Sequence, residues 1–259
     1  MRVLHTLAQR PSLTGSGITL DAFVRHARAA GWEQRVVVGV PAEETCPTVG
    51  GLDRNQIHPL SFGKGDLPVP GPGMSDVMPY RSTVVAAMTE GEIECYQSAW
   101  RAHLQTVIEC FGPHVIHSHH VWLMSALLKD LAPDTPVVTQ CHATGLRQMA
   151  LVPDLAHKVR AGCVRNDAFV VLHHGHADDL GRRLGIGDDR IHVVGAGYRD
   201  ELFHARGRQA SLPPALLYIG KFSNAKGLPQ LLDAFHLLTP SHPNLELHIA
   251  GDGSGDEAE

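Results

Sequence analysis

Apolar runs of strand length and amphipathic stretches of helix length alternate along most of the chain. Val3 to Ala8 is a short apolar run and predicts an opening strand. Gln9 to Gly17 is a glycine-bearing turn, after which Leu20, Phe23, Val24 and Ala27 recur at helical spacing. Gly31 closes that helix, and Arg35 to Val40 predicts a second strand. Strand, glycine turn, helix and strand make the opening of a doubly wound sheet. The turn contains neither G-x-G-x-x-G nor a lysine-bearing phosphate loop, so taken alone it specifies a tight reversal as readily as a ligand.

Residues 41 to 80 break the rhythm with repeated Pro and Gly, leaving room for one short strand near Ile57 to Leu60. A loop of that length in a compact domain is usually functional or mobile. Arg81 to Phe111 turns helical, with Trp100, Leu104, Val107, Ile108 and Phe111 on one face, and Gly112-Pro113 ends it. His114 to His120 and Pro136 to His142 predict two further strands, with a short helix through Leu131 between them. Ala143-Thr144-Gly145 reads as a break, and Leu151, Leu155 and Val159 mark the next helix. Ala168 to His174, a short helix ending near Gly185, and Ile191 to Gly197 complete this part. Strands alternating with helices predict an α/β fold, a parallel sheet covered on both faces.

Arg206 to Pro214 is polar and Pro-bearing, which predicts a linker at 206–214 between a domain of residues 1–205 and a partial domain of residues 215–259. The second part starts with an apolar strand, Leu216 to Ile219, and a turn at Gly220-Lys221. After Lys226-Gly227, Leu228, Leu231, Leu232 and Phe235 recur on one helix face, and Leu245 to Ala250 predicts a second strand. Two ammonium groups thus lie at the carboxyl end of a strand and beside a helix N-terminus, where open α/β sheets bind ligands and where anions are favoured. One strand–helix–strand unit cannot cover both faces of a sheet, so this part is marginal by itself.

Composition changes little. Of 259 residues, 43% are hydrophobic and 19% charged, an ordinary globular balance. A net charge of −5 argues against a broad nucleic-acid footprint. No apolar run reaches the ~18 residues of a membrane span. The five cysteines are scattered without a C-x-x-C pair, which predicts a reduced, cytoplasmic protein with no zinc site.

Eighteen histidines are unusual, and three groups fall at predicted strand ends: His117, His119 and His120; His142; His173, His174 and His176. His117 and His119 share one side of their strand, as metal ligands would, yet no Asp, Glu or Cys stands at motif spacing. Strand-end histidines can also simply satisfy backbone groups. Neutral imidazoles suit a sugar site equally well, since each accepts and donates one hydrogen bond.

Gly220-Lys-Phe-Ser-Asn-Ala-Lys-Gly227, the following Leu-Leu-x-Ala-Phe, and His-Pro-Asn-Leu-Glu-Leu-His-Ile-Ala-Gly-Asp-Gly253 resemble the donor domain of family 4 retaining glycosyltransferases. That resemblance implies the GT-B fold, two Rossmann-like domains facing across a cleft. It implies that Lys226 and Lys221 hold the donor diphosphate, with Lys221 standing where the family has Arg and so lacking the bidentate fork. Gly15, Ser16 and Gly17 match a family loop close to the donor phosphates. Val-Val-Thr-Gln-Cys-His142 is similar to the strand whose His contacts the transferred sugar, and His117 and His119 match an acceptor-side segment. Residues 194–203 resemble the hinge-proximal segment, with Ala196 and Arg199 replacing its Asn and Asp.

The family's paired glutamates, seven residues apart, are expected beyond residue 259, so the resemblance implies a chain truncated within its donor domain. The implied reaction moves a sugar from a nucleotide-diphosphate donor to a hydroxyl acceptor with retention, weakly or not at all in this fragment. No cofactor and no metal are implied. The acceptor could be a sugar, a lipid-linked compound or a small molecule, and nothing speaks against a homo-oligomer or a peripheral position on the inner membrane face. The alternatives are a sugar-nucleotide epimerase or hydrolase on the same fold, which would want cleft carboxylates, and a non-catalytic interaction module.

Overall fold

The computed structural model describes residues 1–12, 14–44, 46–65, 67–75, 78–207, 214–220, 222 and 224–251. The chain divides into two compact units, Met1–Gly197 and Tyr198–Glu259.

The first unit is built on a seven-stranded sheet. Its strands are β1 (Arg2–Leu7), β2 (Glu33–Pro41), β3 (Ile57–Phe62), β6 (Val115–His119), β7 (Val137–Gln140), β8 (Ala168–Val171) and β9 (Ile191–Val193). Their spatial order is β3-β2-β1-β6-β7-β8-β9, and every neighbouring pair is parallel. Two two-residue strands, β4 (Pro72–Gly73) and β5 (Thr83–Val84), pair apart from it. The helices are α1 (Gly15–Ala29), α2 (Glu90–Phe111), α3 (Leu128–Leu131), α4 (Ala143–Leu151), α5 (Pro153–Cys163) and α6 (His174–Leu184).

Successive strand residues point to opposite faces, and the sheet buries both. Val36 and Val38 of β2 pack with Leu7 and with Leu20 and Val24 of α1. Val37, between them, joins the larger cluster with Leu4, Ile116, Val137 and Phe169, packed under Trp100 and Leu104 of α2 and Val159 of α5. The expected parallel sheet with helices on both faces is present.

Several boundaries differ from the sequence expectation, each for a local reason. Gly15 to Gly17, expected in a loop, form the first turn of α1, because the Thr14 side chain accepts from the Gly17 N–H and caps the helix early. Residues 81–89 are not α-helical, holding only a short strand and a 3₁₀ turn at Val85–Ala87, and a reciprocal capping box of Thr89 and Glu92 starts α2 at Glu90. Ala143-Thr144-Gly145 opens α4 rather than ending a strand and nothing more, and a Cβ on Gly145 would stand 3.0 Å from the Val121 carbonyl oxygen. His173 and His174 leave the strand, which stops at Val171, and start α6 instead.

The second unit contains β10 (Ala215–Ile219), α7 (Leu228–Leu238) and β11 (Glu246–Ala250), with the two strands parallel and Ala215 opposite Glu246. This is the strand–helix–strand unit expected from the apolar pattern. Among the described residues no helix is long and apolar enough to cross a membrane.

Candidate functional site

Because all strands of the main sheet run parallel, their carboxyl ends share one edge, the edge at which open α/β sheets gather ligand-binding groups. That edge of the first unit is occupied by imidazoles. His5 on β1 is the register partner of His117 on β6, and their Nδ1 atoms face each other at 3.1 Å. His119 lies two residues on, hence on the same face, with its ring 4.7 Å from that of His117. Its Nδ1 meets Nε2 of His142 at 3.1 Å, and the two rings stack. Phe23 of α1 sets its ring edge-on against both His117 and His119.

His120 ties this row to the helix N-termini. Its backbone stands at φ +70°, in the left-handed region that costs a side-chain-bearing residue strain. Its Nε2 donates to Oε1 of Gln9 at 3.0 Å, and its Nδ1 lies 3.2 Å from the Thr144 hydroxyl in the first turn of α4. The same Gln9 oxygen accepts from the Ser16 hydroxyl in the first turn of α1. Hydrogen bonds thus run from the Gly15–Ser16–Gly17 turn through Gln9 and His120 to the residue after Ala143. Gly17 is required there: a Cβ would come within 2.6 Å of the Ser12 backbone nitrogen.

Burial and mutual repulsion keep these rings uncharged. His5 and His142 are pushed down to about 4 and His117 to about 3, each chiefly by burial. His119 and His120 lie well below the ordinary value for the same reason, with neighbouring imidazoles adding to it. At neutral pH the row therefore offers neutral donors and acceptors without fixed charge. Among the described residues no carboxylate is hydrogen-bonded to any of these rings, and no group of three or more His, Cys, Asp or Glu is disposed to hold a metal ion. His119 and Trp122 each keep a buried ring nitrogen without a partner, and both line one internal cavity of about the size of a water molecule.

Comparisons with known proteins bear on this arrangement. Residues 14–197 match the description "Glycosyl transferase 4-like domain", which covers most of the chain and the whole imidazole edge beyond β1. The chain belongs to the glycosyl transferase 4-like family. Residues 200–259 match "Glycosyl transferases group 1". A curated relative of this glycosyl transferase 4-like chain, a glycogen synthase from Mycobacterium tuberculosis, is 30% identical over 152 residues, 55% of this chain and 36% of the relative. The match therefore spans just over a third of that relative's length. Sucrose-phosphate synthase from Thermosynechococcus elongatus has a similar fold, with TM-score 0.64 at 15% identity over 99% of this chain and 64% of that one. The catalytic domain of starch synthase IV from Arabidopsis thaliana gives 0.60 at 12% identity, over 98% and 69%. The fold is of the GT-B type.

Of the residues singled out by sequence, the structure gathers Gly15, Ser16, Gly17, His117, His119 and His142 at one edge of the first unit. His173 and His176 pair with each other at the start of α6. Lys226 belongs to the second unit, where it ends a short 3₁₀ turn just before Gly227, the φ +73° residue that opens α7. Lys221 lies outside the described residues. Sequence reasoning missed His5, Gln9, Gln34 and Thr144. Gln34 carried a usable signal, a polar residue on the same strand face as Val36 and Val38, as did His5 inside an apolar strand.

Proposed function

We propose that this protein transfers a sugar from a nucleotide-diphosphate donor to a hydroxyl acceptor, with retention at the anomeric carbon. The observation that carries the reading is the edge just described: in a chain of the glycosyl transferase 4-like family, neutral imidazoles from three strands meet the capped N-terminus of α1. The first-turn N–H groups of a helix have no backbone partner within it and favour an anion; here the Gly17 N–H is taken by Thr14, and those of Gly15 and Ser16 would serve the ligand. Gly15, Ser16 and Gly17 would close over the donor phosphates, which Lys226 and Lys221 would hold from the partial domain at 215–259, beyond a linker at 206–214. His142 would orient the transferred sugar, and His117 and His119 would meet the acceptor.

Leaving-group stabilisation dominates in this scheme. Ammonium groups and backbone N–H groups offset the charge that grows on the β-phosphate as the anomeric bond breaks. Neutral imidazoles at that edge position hydroxyls without competing for the anion. Among the described residues no carboxylate is hydrogen-bonded to these imidazoles, which accords with attack from the face that the leaving group departs. Among the acceptor classes, a carbohydrate is favoured, since the curated relative is a glycogen synthase.

The test incubates the protein with a panel of nucleotide sugars, with and without oligosaccharide acceptor. Nucleotide released in the presence of acceptor alone supports transfer. Release without acceptor means hydrolysis, and no release favours an interaction module. The anomeric configuration of the product, read by NMR, decides retention. Lys226→Ala is expected to lower turnover by about tenfold or more, the scale of one lost charge-assisted contact to a phosphate; unchanged turnover removes Lys226 from the diphosphate role.

A further inference from the structure

The imidazole row has a direction, and it is imposed from a residue remote from the proposed ligands. Gln34 of β2 is 1% exposed and hydrogen-bonded at both ends of its amide. Its Nε2 donates to the Val24 carbonyl of α1 at 3.2 Å, which fixes the orientation of the amide. Its Oε1 therefore faces Nε2 of His5, 3.0 Å away, and can only accept. That places the His5 hydrogen on Nε2. A neutral ring has one N–H, so His5 Nδ1 is a bare acceptor, and it faces Nδ1 of His117. The hydrogen between them must belong to His117.

We infer that Gln34, acting through His5, is a positioning residue that holds His117 in the Nδ1–H tautomer and leaves its Nε2 as a lone pair for the ligand. His117 is half-buried, and among the described residues its Nε2 makes no hydrogen bond. Such a nitrogen accepts from a hydroxyl and repels a carboxylate or phosphate oxygen. On the proposed transfer reading, on which this consequence rests, His117 selects uncharged hydroxyl-bearing acceptors and pulls on the hydroxyl hydrogen. The tautomer itself does not depend on that reading.

The experiment records long-range ¹H–¹⁵N correlations of the imidazole rings in the full chain at pH 7.5, without ligand. His117 is expected as the Nδ1–H tautomer, the reverse of the Nε2–H form that free histidine prefers in water. An Nε2–H ring, an averaged mixture or an imidazolium at His117 overturns the inference on the unsubstituted protein alone. Gln34→Met, which keeps length but removes the amide, and His5→Phe, which removes the acceptor, should each return His117 to mostly Nε2–H. If both variants fold and His117 is unmoved, Gln34 and His5 have no such role. In the acceptor-dependent assay Gln34→Met should raise the acceptor KM about tenfold, as the loss of one well-placed hydrogen bond would, with kcat less affected. An unsubstituted protein that transfers no sugar yet shows the Nδ1–H ring favours an interaction module and leaves the tautomer relay standing.

Discussion

The chain contains the same strand–helix–strand motif near each end, and the two copies end up in different physical states. In β1–α1–β2 the apolar side chains are sealed: Leu4, Leu7, Leu20, Val24 and Val36 are all 0% exposed. In β10–α7–β11, Leu217 is 65% exposed, Ile219 74% and Leu237 77%. Their periodicities are equally good, so periodicity is not what separates them. The first copy has a strand on each side, β3 beyond β2 and β6 beyond β1, and helices on both faces of the sheet. The second copy has a two-stranded sheet. A βαβ pattern decides which residues form elements, whereas burial, and with it stability, comes from neighbouring elements the pattern does not contain.

The largest expected contrast concerns acid. His5, His117, His119, His120 and His142 are neutral in the folded first unit, with His5 and His142 titrating near 4 and His117 near 3 against an ordinary value of 6.5. Between about 6.5 and 4 the unfolded chain binds protons that the folded chain does not. Stability therefore rises with pH across that window and is lost as pH falls through it. Each proton held by the unfolded state alone shifts the folding equilibrium about tenfold per pH unit. Thermal melts at pH 7.5, 6 and 5 should show the first unit losing most of its stability, with a shallower dependence in His119→Phe. A melting temperature that does not change with pH would contradict the buried, uncharged row.

How much of this was legible in the sequence follows the same division. Elements with uninterrupted periodicity, such as the α2 face from Trp100 to Phe111 or the apolar strand at Leu216 to Ile219, were readable because local pattern decides them. The helix starts at Gly15 and Ala143 were not. Glycines there look like loop residues, and their helical state depends on the Thr14 cap and on Gly145 packing against the Val121 carbonyl. The histidines could be grouped by strand end, but their order along the edge depends on the strand sequence β2-β1-β6-β7, which puts His5 beside His117 although 112 residues separate them. Gln34 stood out as a polar residue on an apolar strand face, but its role, like that of Gln9, depends on the partners each reaches.

The second contrast is smaller and isolates burial from helix chemistry. Leu20→Ala on α1 removes a side chain with no exposed surface and is expected to cost about 2–5 kcal/mol in urea unfolding. Leu237→Ala on α7 alters a side chain that is 77% exposed and should stay within about 0.5 kcal/mol. Amide hydrogen exchange along the two helices reads each locally, so a loss at α7 cannot be mistaken for one at α1. Equal losses would mean that Leu237 is covered in solution, and the contrast between the two motifs would fail.

The smallest effect sharpens the comparison at the two helix starts, both assigned to phosphates in the proposed reaction. α1 begins with a side-chain cap, Thr14 accepting from the Gly17 N–H at 3.1 Å, whereas α7 begins at Gly227 without one. Thr14→Ala should cost about 1 kcal/mol, the usual worth of such a cap, and should fray Gly15 to Gly17 ahead of the rest of α1. Gly227→Ala should cost a similar ~1–2 kcal/mol for a different reason, because φ +73° is strained for any residue with a Cβ. No contact is lost there, since the nearest atom to a Cβ on Gly227 is the Gln230 Oε1, 3.9 Å away. The two losses separate by rescue: Ser restores the cap at residue 14, while Asn at residue 227 tolerates the left-handed backbone. If Ser fails at residue 14, the turn is held by Gln9 and Ser16 instead, and the hydrogen bonds to His120 become the main support of that edge.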